Sequence, residues 1–388
     1  DHRDLHSFPT RRSSDLRIQQ RFKWGEWEEN NFVQCGVKIE RQKDGSFHLS
    51  QQQYLTKVSE ICLSAGRRKQ TKETTTDREK TQLRGLLGAL SWYSQQCAPH
   101  LSASVGLLLS EVTDSNVETI VRANKLLYEA KQRKEHKMIV HAFHPNEKLG
   151  MYVWADAACQ NRRDGSSTQG IFVGIAPERL YEGYVEKVTP VAWHSSKIER
   201  VSRSPGAAEA RAVVSGEDYL FHARYQFGEY LEAETNVFDV DSTVNRIPGC
   251  VISDSRNVFD KLQTEELSIK GQERRVDLEL LSLKSAQRNN VVRVRWVHSE
   301  AQLGNALTKS GAKELEMFYQ MGGTWRIVND PKMRSARKRR SEGMETFEGH
   351  TETTQRAQNI HADECVSGDP KVPWKLEEPG GMKVLKNT

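Results

Sequence analysis

Apolar residues along this chain follow two different periods, and the change falls before its middle. Two alternating runs, Phe32 to Glu40 and Ser46 to Ser50, flank Asp44-Gly45, a dipeptide suited to a tight hairpin turn. Beyond them the spacing is helical. Gln51 to Ser64 carries Tyr54, Leu55, Val58, Ile61 and Cys62 on one face. Asp77 caps a helix whose face is Leu83, Leu86, Leu87, Leu90 and Tyr93. Pro99 interrupts, Leu101 to Val112 resumes the pattern, and Asp114-Ser-Asn116 starts a further helix with Val117, Ile120, Val121, Ala123, Leu127 and Tyr128. This hairpin-plus-helices segment holds no catalytic constellation. His136, His141 and His144 are spaced too unevenly to share a helix face, which argues against a metal there.

From Met151 the period shortens. Met151-Tyr-Val-Trp-Ala-Asp156 reads as a buried strand with one acid inside it. Gly170 to Ile175 and Val188 to Trp193 follow near hairpin distance, so the three strands form an antiparallel sheet, with Pro190 suited to an edge or a bulge. Ser204-Pro205 opens a helix in the preferred order, cap serine then proline, with Ala210, Val213, Val214, Leu220, Phe221 and Tyr225 on its face. Cys250 to Ser253 is a short strand delivering Asp254 at its end. Helices follow around Val258 and Leu280, then the alternating strand Val291 to Val297. Ser299-Glu-Ala-Gln302 is a capping-box pattern that opens a last helix with Leu303, Ala306 and Leu307. The order is β-β-β-α-β-α-α-β-α: a mixed sheet with flanking helices, of the α/β (α+β) class.

Composition changes this picture little. The chain has 388 residues and a net charge of +5, enough for about two domains with tails. Lys332 to Arg340 holds six basic residues and no acid, a run that suits nucleic acid or a solvated tail. Residues 331–388 are polar and low in large aliphatics, so disorder is expected there, with little effect on stability if they are removed. The six cysteines are scattered with no C-x-x-C pair, which excludes a zinc ribbon or disulfide framework and fits a reducing compartment. No apolar run of about 18 residues exists, so no membrane span is expected. His6 to Leu16 looks like the translation of a sequencing-adapter oligonucleotide, which would make residues 1–16 an assembly scar ahead of a truncated reading frame.

The order of elements and the acids within it resemble ribonuclease H, specifically the RNase H domain that closes copia-type LTR retrotransposon polyproteins. Trp154-Ala-Asp156-Ala-Ala stands where that family has a Ser-Asp-Ala-Asp-like strand end. Gly170-Ile-Phe-Val and Ala192-Trp-His-Ser-Ser-Lys197 match its second and third strands. Ala207-Ala-Glu209-Ala-Arg-Ala matches its Glu-Ala-Glu-Tyr helix start, and Ile252-Ser-Asp254-Ser its Cys-Asp-Asn strand end. Gln302-Leu-Gly-Asn305-Ala-Leu-Thr-Lys309 matches its closing Gln-Leu-Ala-Asp-Ile-Leu-Thr-Lys, the most specific of these signals. Upstream, Phe32 to Tyr54 and Leu83 to Tyr93 are similar to the stretch beyond the family's polymerase palm. The resemblance therefore divides the chain into 17–147, a reverse transcriptase C-terminal segment, and 148–330, an RNase H domain. The Tyr-x-Asp-Asp polymerase motif is absent, so this polypeptide by itself is not expected to polymerise DNA.

The resemblance implies two Mg²⁺ ions, with Mn²⁺ as a substitute, and the RNA strand of an RNA–DNA hybrid as substrate. Two hard cations roughly 4 Å apart polarise a phosphate, activate water and stabilise the leaving oxygen, and they require several carboxylates at one sheet end. Asp156 would bridge both ions, and Glu209 and Asp254 would each complete one. Singly, the three also fit a strand-end acid, a dipole-matched surface glutamate and a helix N-cap. The family's fourth acid is Asn305 here, a neutral ligand. His298 would assist product release or proton transfer. Thr168, Lys197, Arg200 and Arg203 stand where contacts to the hybrid backbone are expected. The remaining partners implied are the palm and fingers of the same polyprotein, and the location is a cytoplasmic or nuclear retrotransposon particle. A DDE integrase would want a glutamate about 35 residues past the second Asp, where this chain has Asn289-Asn290. A catalytically decayed relic that only binds nucleic acid stays open because of Asn305 and the insertion from Glu229 to Pro248.

Overall fold

The structure, a computed structural model, describes residues 21, 28–231, 238–265, 274–289, 291–327 and 330–344. Residues 1–16 and 345–388 lie outside the described residues, and with them the expectations of an assembly scar and of a disordered tail end.

The upstream segment combines a small antiparallel sheet with a group of packed helices. β1 (Asn31–Gln34), β2 (Val37–Arg41) and β3 (Phe47–Ser50) form consecutive antiparallel pairs, and β4 (Met138–Val140) returns after the helices to pair with β3. The run Phe32–Glu40, expected as one strand, is two. Cys35 and Gly36 turn between them at φ of 51° and 81°, the left-handed region that glycine enters without strain. The helices Asp77–Gln96, Ser102–Ser110 and Val117–Gln132 pack through Leu83, Leu87, Leu90, Leu108, Ile120 and Leu127. Thr76, not Asp77, caps the first of these, in a reciprocal capping box with Glu79. The helix expected over Gln51–Ser64 is only Gln52–Lys57. Ile61 shows why: its amide donates to Asn124 Oδ1 at 2.9 Å and its carbonyl accepts from Asn124 Nδ2 at 2.8 Å. Backbone groups satisfied by a side chain have no need of a helix.

The second region is the expected mixed sheet with flanking helices. Its strands in chain order are β5 (Leu149–Ala158), β6 (Thr168–Pro177), β7 (Glu186–Lys187), β8 (Thr189–Lys197), β9 (Gly249–Ser253), β10 (Arg293–Trp296) and β11 (Thr324–Trp325). The main sheet runs β10-β9-β5-β6-β8, with β10, β9 and β5 mutually parallel and β6 and β8 antiparallel additions. Pro190 sits on the edge strand β8, where the register shifts between Val173 and Gly174. β7 and β11 form a separate two-stranded pair.

β5 is covered on both faces, which explains its unbroken apolar run. Met151, Val153 and Ala155 point into one core with Val213 and Leu220 of the Pro205–Leu231 helix, while Tyr152 and Trp154 point into a second with Leu303, Leu307, Phe318 and Trp325. Ser204 caps the long helix as expected, its hydroxyl accepting from the Ala207 amide at 3.2 Å.

Two expectations are corrected here. The Ser299 capping pattern does not open an α-helix; the chain makes two 3-10 turns, Ser299–Ala301 and Leu303–Leu307. The cause is Gln302, whose side-chain amide donates to the Ala155 carbonyl at 3.0 Å and the Ile252 carbonyl at 3.3 Å, so the sheet holds the residue that would have continued a helix. The expected disorder from 331 onward also fails for the described part. Residues 330–344 include the helix Ala336–Ser341, and Asp330 accepts from Arg334 and Arg339 while itself 5% exposed. The charged composition that suggested solvation instead forms a buried ion-pair network.

The helical layer touches the sheet. The Trp193 indole donates to the Ser94 carbonyl at 2.9 Å, and the Ser104 and Ser310 hydroxyls are 2.9 Å apart. Among the described residues no helix is long and apolar enough to cross a membrane.

Candidate metal centre

Three elements converge at one end of β5. Asp156 lies near the end of that strand, Asp254 follows β9 directly, and Glu209 stands just past the first turn of the Pro205–Leu231 helix. Parallel pairing of β5 with β9 puts both strand ends on the same side, and the cap at Ser204 starts the helix above them. Asp156, Glu209 and Asp254 each place a ligand atom within 4.8 Å of the other two.

The electrostatics are those of a cluster lacking enough positive charge. Burial raises the Asp156 carboxyl to about 7, with repulsion from Asp254 adding to it. Burial, then Asp156 and Asp254, push Glu209 well above the usual range. Asp254 is raised by burial, against Lys309 and a hydrogen bond from Ser299. Asp156 Oδ1 and Glu209 Oε2 are buried and have no hydrogen-bond partner among the described residues. Buried, orphaned carboxylate oxygens in mutual repulsion are the donor set that suits a hard divalent cation.

The turn after Gln302 supplies what else touches Asp156. Gly304 approaches so closely that a Cβ on it would stand 3.0 Å from the Trp154 carbonyl oxygen. That contact sets Thr308 and Lys309 beside the strand end. The Thr308 hydroxyl donates to Asp156 Oδ2, and the Lys309 ammonium lies 3.7 Å from the same oxygen.

Asn305 stands beside the acids with its side chain already engaged through Lys309, whose ammonium also reaches Asp156 Oδ2. The Asn305 Oδ1 accepts from the Lys309 ammonium and its Nδ2 donates to Glu314 Oε1 at 2.8 Å. Glu314, raised by burial, is a further acid near the site. Sequence reading missed it because it lies past the closing motif, five residues beyond Lys309. Thr308 and Lys309 stood inside that motif but carried no assigned role.

The other expected residues are placed as follows. His298 is buried, and burial lowers its imidazole to about 4, with Arg339 and Arg326 acting in the same direction and Asp330 against them. Thr168 is fully buried, accepting from the Arg162 guanidinium and donating to Asn161 Oδ1, so it is a structural residue and not a surface contact. Lys197 pairs with Asp164 at 2.7 Å, Arg200 pairs with Glu279, and Arg203 is exposed.

Comparison with known proteins gives structural likeness only. No family model matches the chain, and no curated protein does. Among solved structures it is similar to the N-terminal RNase H domain of Rv2228c from Mycobacterium tuberculosis, at 13% identity and a TM-score of 0.26, over 45% of this chain and 99% of that one. It is similar to RNase H1 of Halobacterium salinarum at 16% identity and a TM-score of 0.26, over 43% and 98%. A foamy viral protease–reverse transcriptase in complex with dsDNA matches at 12% identity and a TM-score of 0.35, over 70% of this chain and 45% of that one.

Proposed function

We propose that the chain is an RNase H-like nuclease from a copia-type retroelement, cleaving the RNA strand of an RNA–DNA hybrid with Mg²⁺ or Mn²⁺. One observation carries the reading: Asp156, Glu209 and Asp254, far apart in sequence, meet within 4.8 Å at the end of a mixed sheet. Divalent ions bound there would polarise the scissile phosphate and lower the pKa of a bound water. The chain's own groups fix the ligands. The Thr308 hydroxyl holds one oxygen of Asp156, leaving Oδ1 for a cation. The Trp296 indole, donating to the Asp254 carbonyl at 2.9 Å, holds the backbone from which that carboxylate projects. Lys197, Arg200 and Arg203 would meet backbone phosphates, the first exchanging the exposed Asp164 carboxylate and the second the half-buried Glu279.

The second reading, a relic that binds nucleic acid without cutting it, is favoured by the Lys309–Asn305 contact at the fourth-ligand position. A cleavage assay on labelled RNA in a hybrid, with Mg²⁺ and then with chelator, separates the two. The nuclease reading expects cleavage that the chelator abolishes; hybrid binding with no cleavage at any Mg²⁺ concentration supports the relic.

A further inference from the structure

Lys309 is placed like a ligand-bound cation rather than a surface lysine. Its ammonium lies 3.7 Å from Asp156 Oδ2 and donates to Asn305 Oδ1, while its side chain is half exposed. It also acts favourably on the carboxylates of Asp156, Glu209, Asp254 and Glu314. The contact to Asn305 has only one orientation. Lysine can only donate and an ionised carboxylate can only accept, so the Asn305 amide must turn its oxygen to Lys309 and its nitrogen to Glu314. Glu314 thereby aims the Asn305 carbonyl at the ammonium.

We propose that the Lys309 ammonium is the built-in second cation of the acid cluster, and that it must swing out before a second divalent ion is held between Asp156 and Asn305. The proposal rests on the reading that Asp156, Glu209 and Asp254 hold a divalent ion. A second ion beside the first would compete for Asp156 Oδ2 and Asn305 Oδ1, the oxygens that Lys309 engages, and like charges a few ångströms apart exclude one another. The tether makes exchange feasible: a flexible stem with an exposed flank can withdraw to solvent without disturbing the core. The site therefore carries one cation that needs no supply from solution, and its occupancy by a second is set by how readily Lys309 leaves.

The test is Mn²⁺ binding by the full chain without nucleic acid, read by electron paramagnetic resonance, with melting temperature measured in parallel. Wild type should hold one ion more tightly than a second. Lys309→Met should hold the second about tenfold more tightly or better. Without metal it should melt lower than wild type, and Mn²⁺ should raise its melting temperature by more than it raises the wild type's. Lys309→Gln, which keeps a donor for Asn305 but no charge, should behave like Lys309→Met, and Lys309→Arg like wild type. If Lys309→Met does not fold, Lys309→Gln decides. Titrations of the neutral variants superimposable on a wild type that binds Mn²⁺ would overturn the proposal alone. No binding by wild type or variant would overturn both the proposal and the metal-centre reading beneath it.

Discussion

A Cβ on Gly170 would come within 2.5 Å of the Gly304 carbonyl oxygen, so the turn that carries Thr308 and Lys309 rests directly on β6. Neither position has room for a side chain. Gly170→Ala should therefore push the turn off the sheet, costing on the order of 1–3 kcal/mol or more. Gly85 is a control: it is an exposed position in the Asp77–Gln96 helix where a Cβ meets nothing within 4 Å. Gly85→Ala should stabilise by roughly 0.5–1 kcal/mol. Denaturant midpoints of the two variants check this, and equal shifts would mean that the close contact does not exist in solution.

The acid cluster gives a pH signature with a definite sign. Folding raises the Asp156 carboxyl from 3.8 to about 7, so the folded state favours its protonated form. The resulting stability is fully present below pH 3.8 and is lost as pH rises through about 7. Metal-free protein should lose stability across that window, and Asp156→Asn should flatten the loss. Mg²⁺ should restore stability on the alkaline side. Urea titrations at several pH values would show it; a wild type and Asp156→Asn with the same pH profile would contradict it.

His298 gives the opposite sign. Its imidazole falls from 6.5 to about 4 on burial, so its contribution is present above pH 6.5 and is lost as pH falls towards 4. His298→Gln should leave hybrid cleavage at neutral pH within a few-fold of wild type while altering acid stability. A large loss of cleavage at pH 7.5 with the fold intact would show that the residue takes part in the reaction.

The segment after residue 330 should matter to stability. Asp330 and Arg339 are each 5% exposed and joined at 3.0 Å. Asp330→Ala removes one partner from the Arg339 guanidinium and should cost about 1–3 kcal/mol. Deleting 331–388 should lower the melting temperature by several degrees, and an unchanged value would show that the segment is not packed in solution.

What was legible in the sequence follows from which interactions are local. Short apolar runs marked β5, β6 and β9, and the Ser204-Pro205 pair marked the long helix, because burial and capping depend on neighbours a few residues away. The three acids were legible because each stands beside such a local signal. The turn at Leu303–Leu307 was not, since Gln302 is held by carbonyls 147 and 50 residues away. The partners of Asn305 were not legible either, because Glu314 and Lys309 reach it through the fold of the turn rather than through a sequence pattern. The basic run at 332–340 hid an ion-pair network because composition does not reveal that Asp330 waits at its start.

The central claim is that Asp156, Glu209 and Asp254 form a metal-dependent nuclease site, and hybrid cleavage by wild type against Asp254→Asn tests it most directly. With Mg²⁺ present, wild type should release RNA fragments and leave the DNA strand whole. Asp254→Asn, with circular dichroism unchanged, should lose at least about a hundredfold in rate, beyond what altering an outer-shell residue usually costs. Cleavage by Asp254→Asn at the wild-type rate, or wild-type cleavage that persists in chelator, would contradict the account.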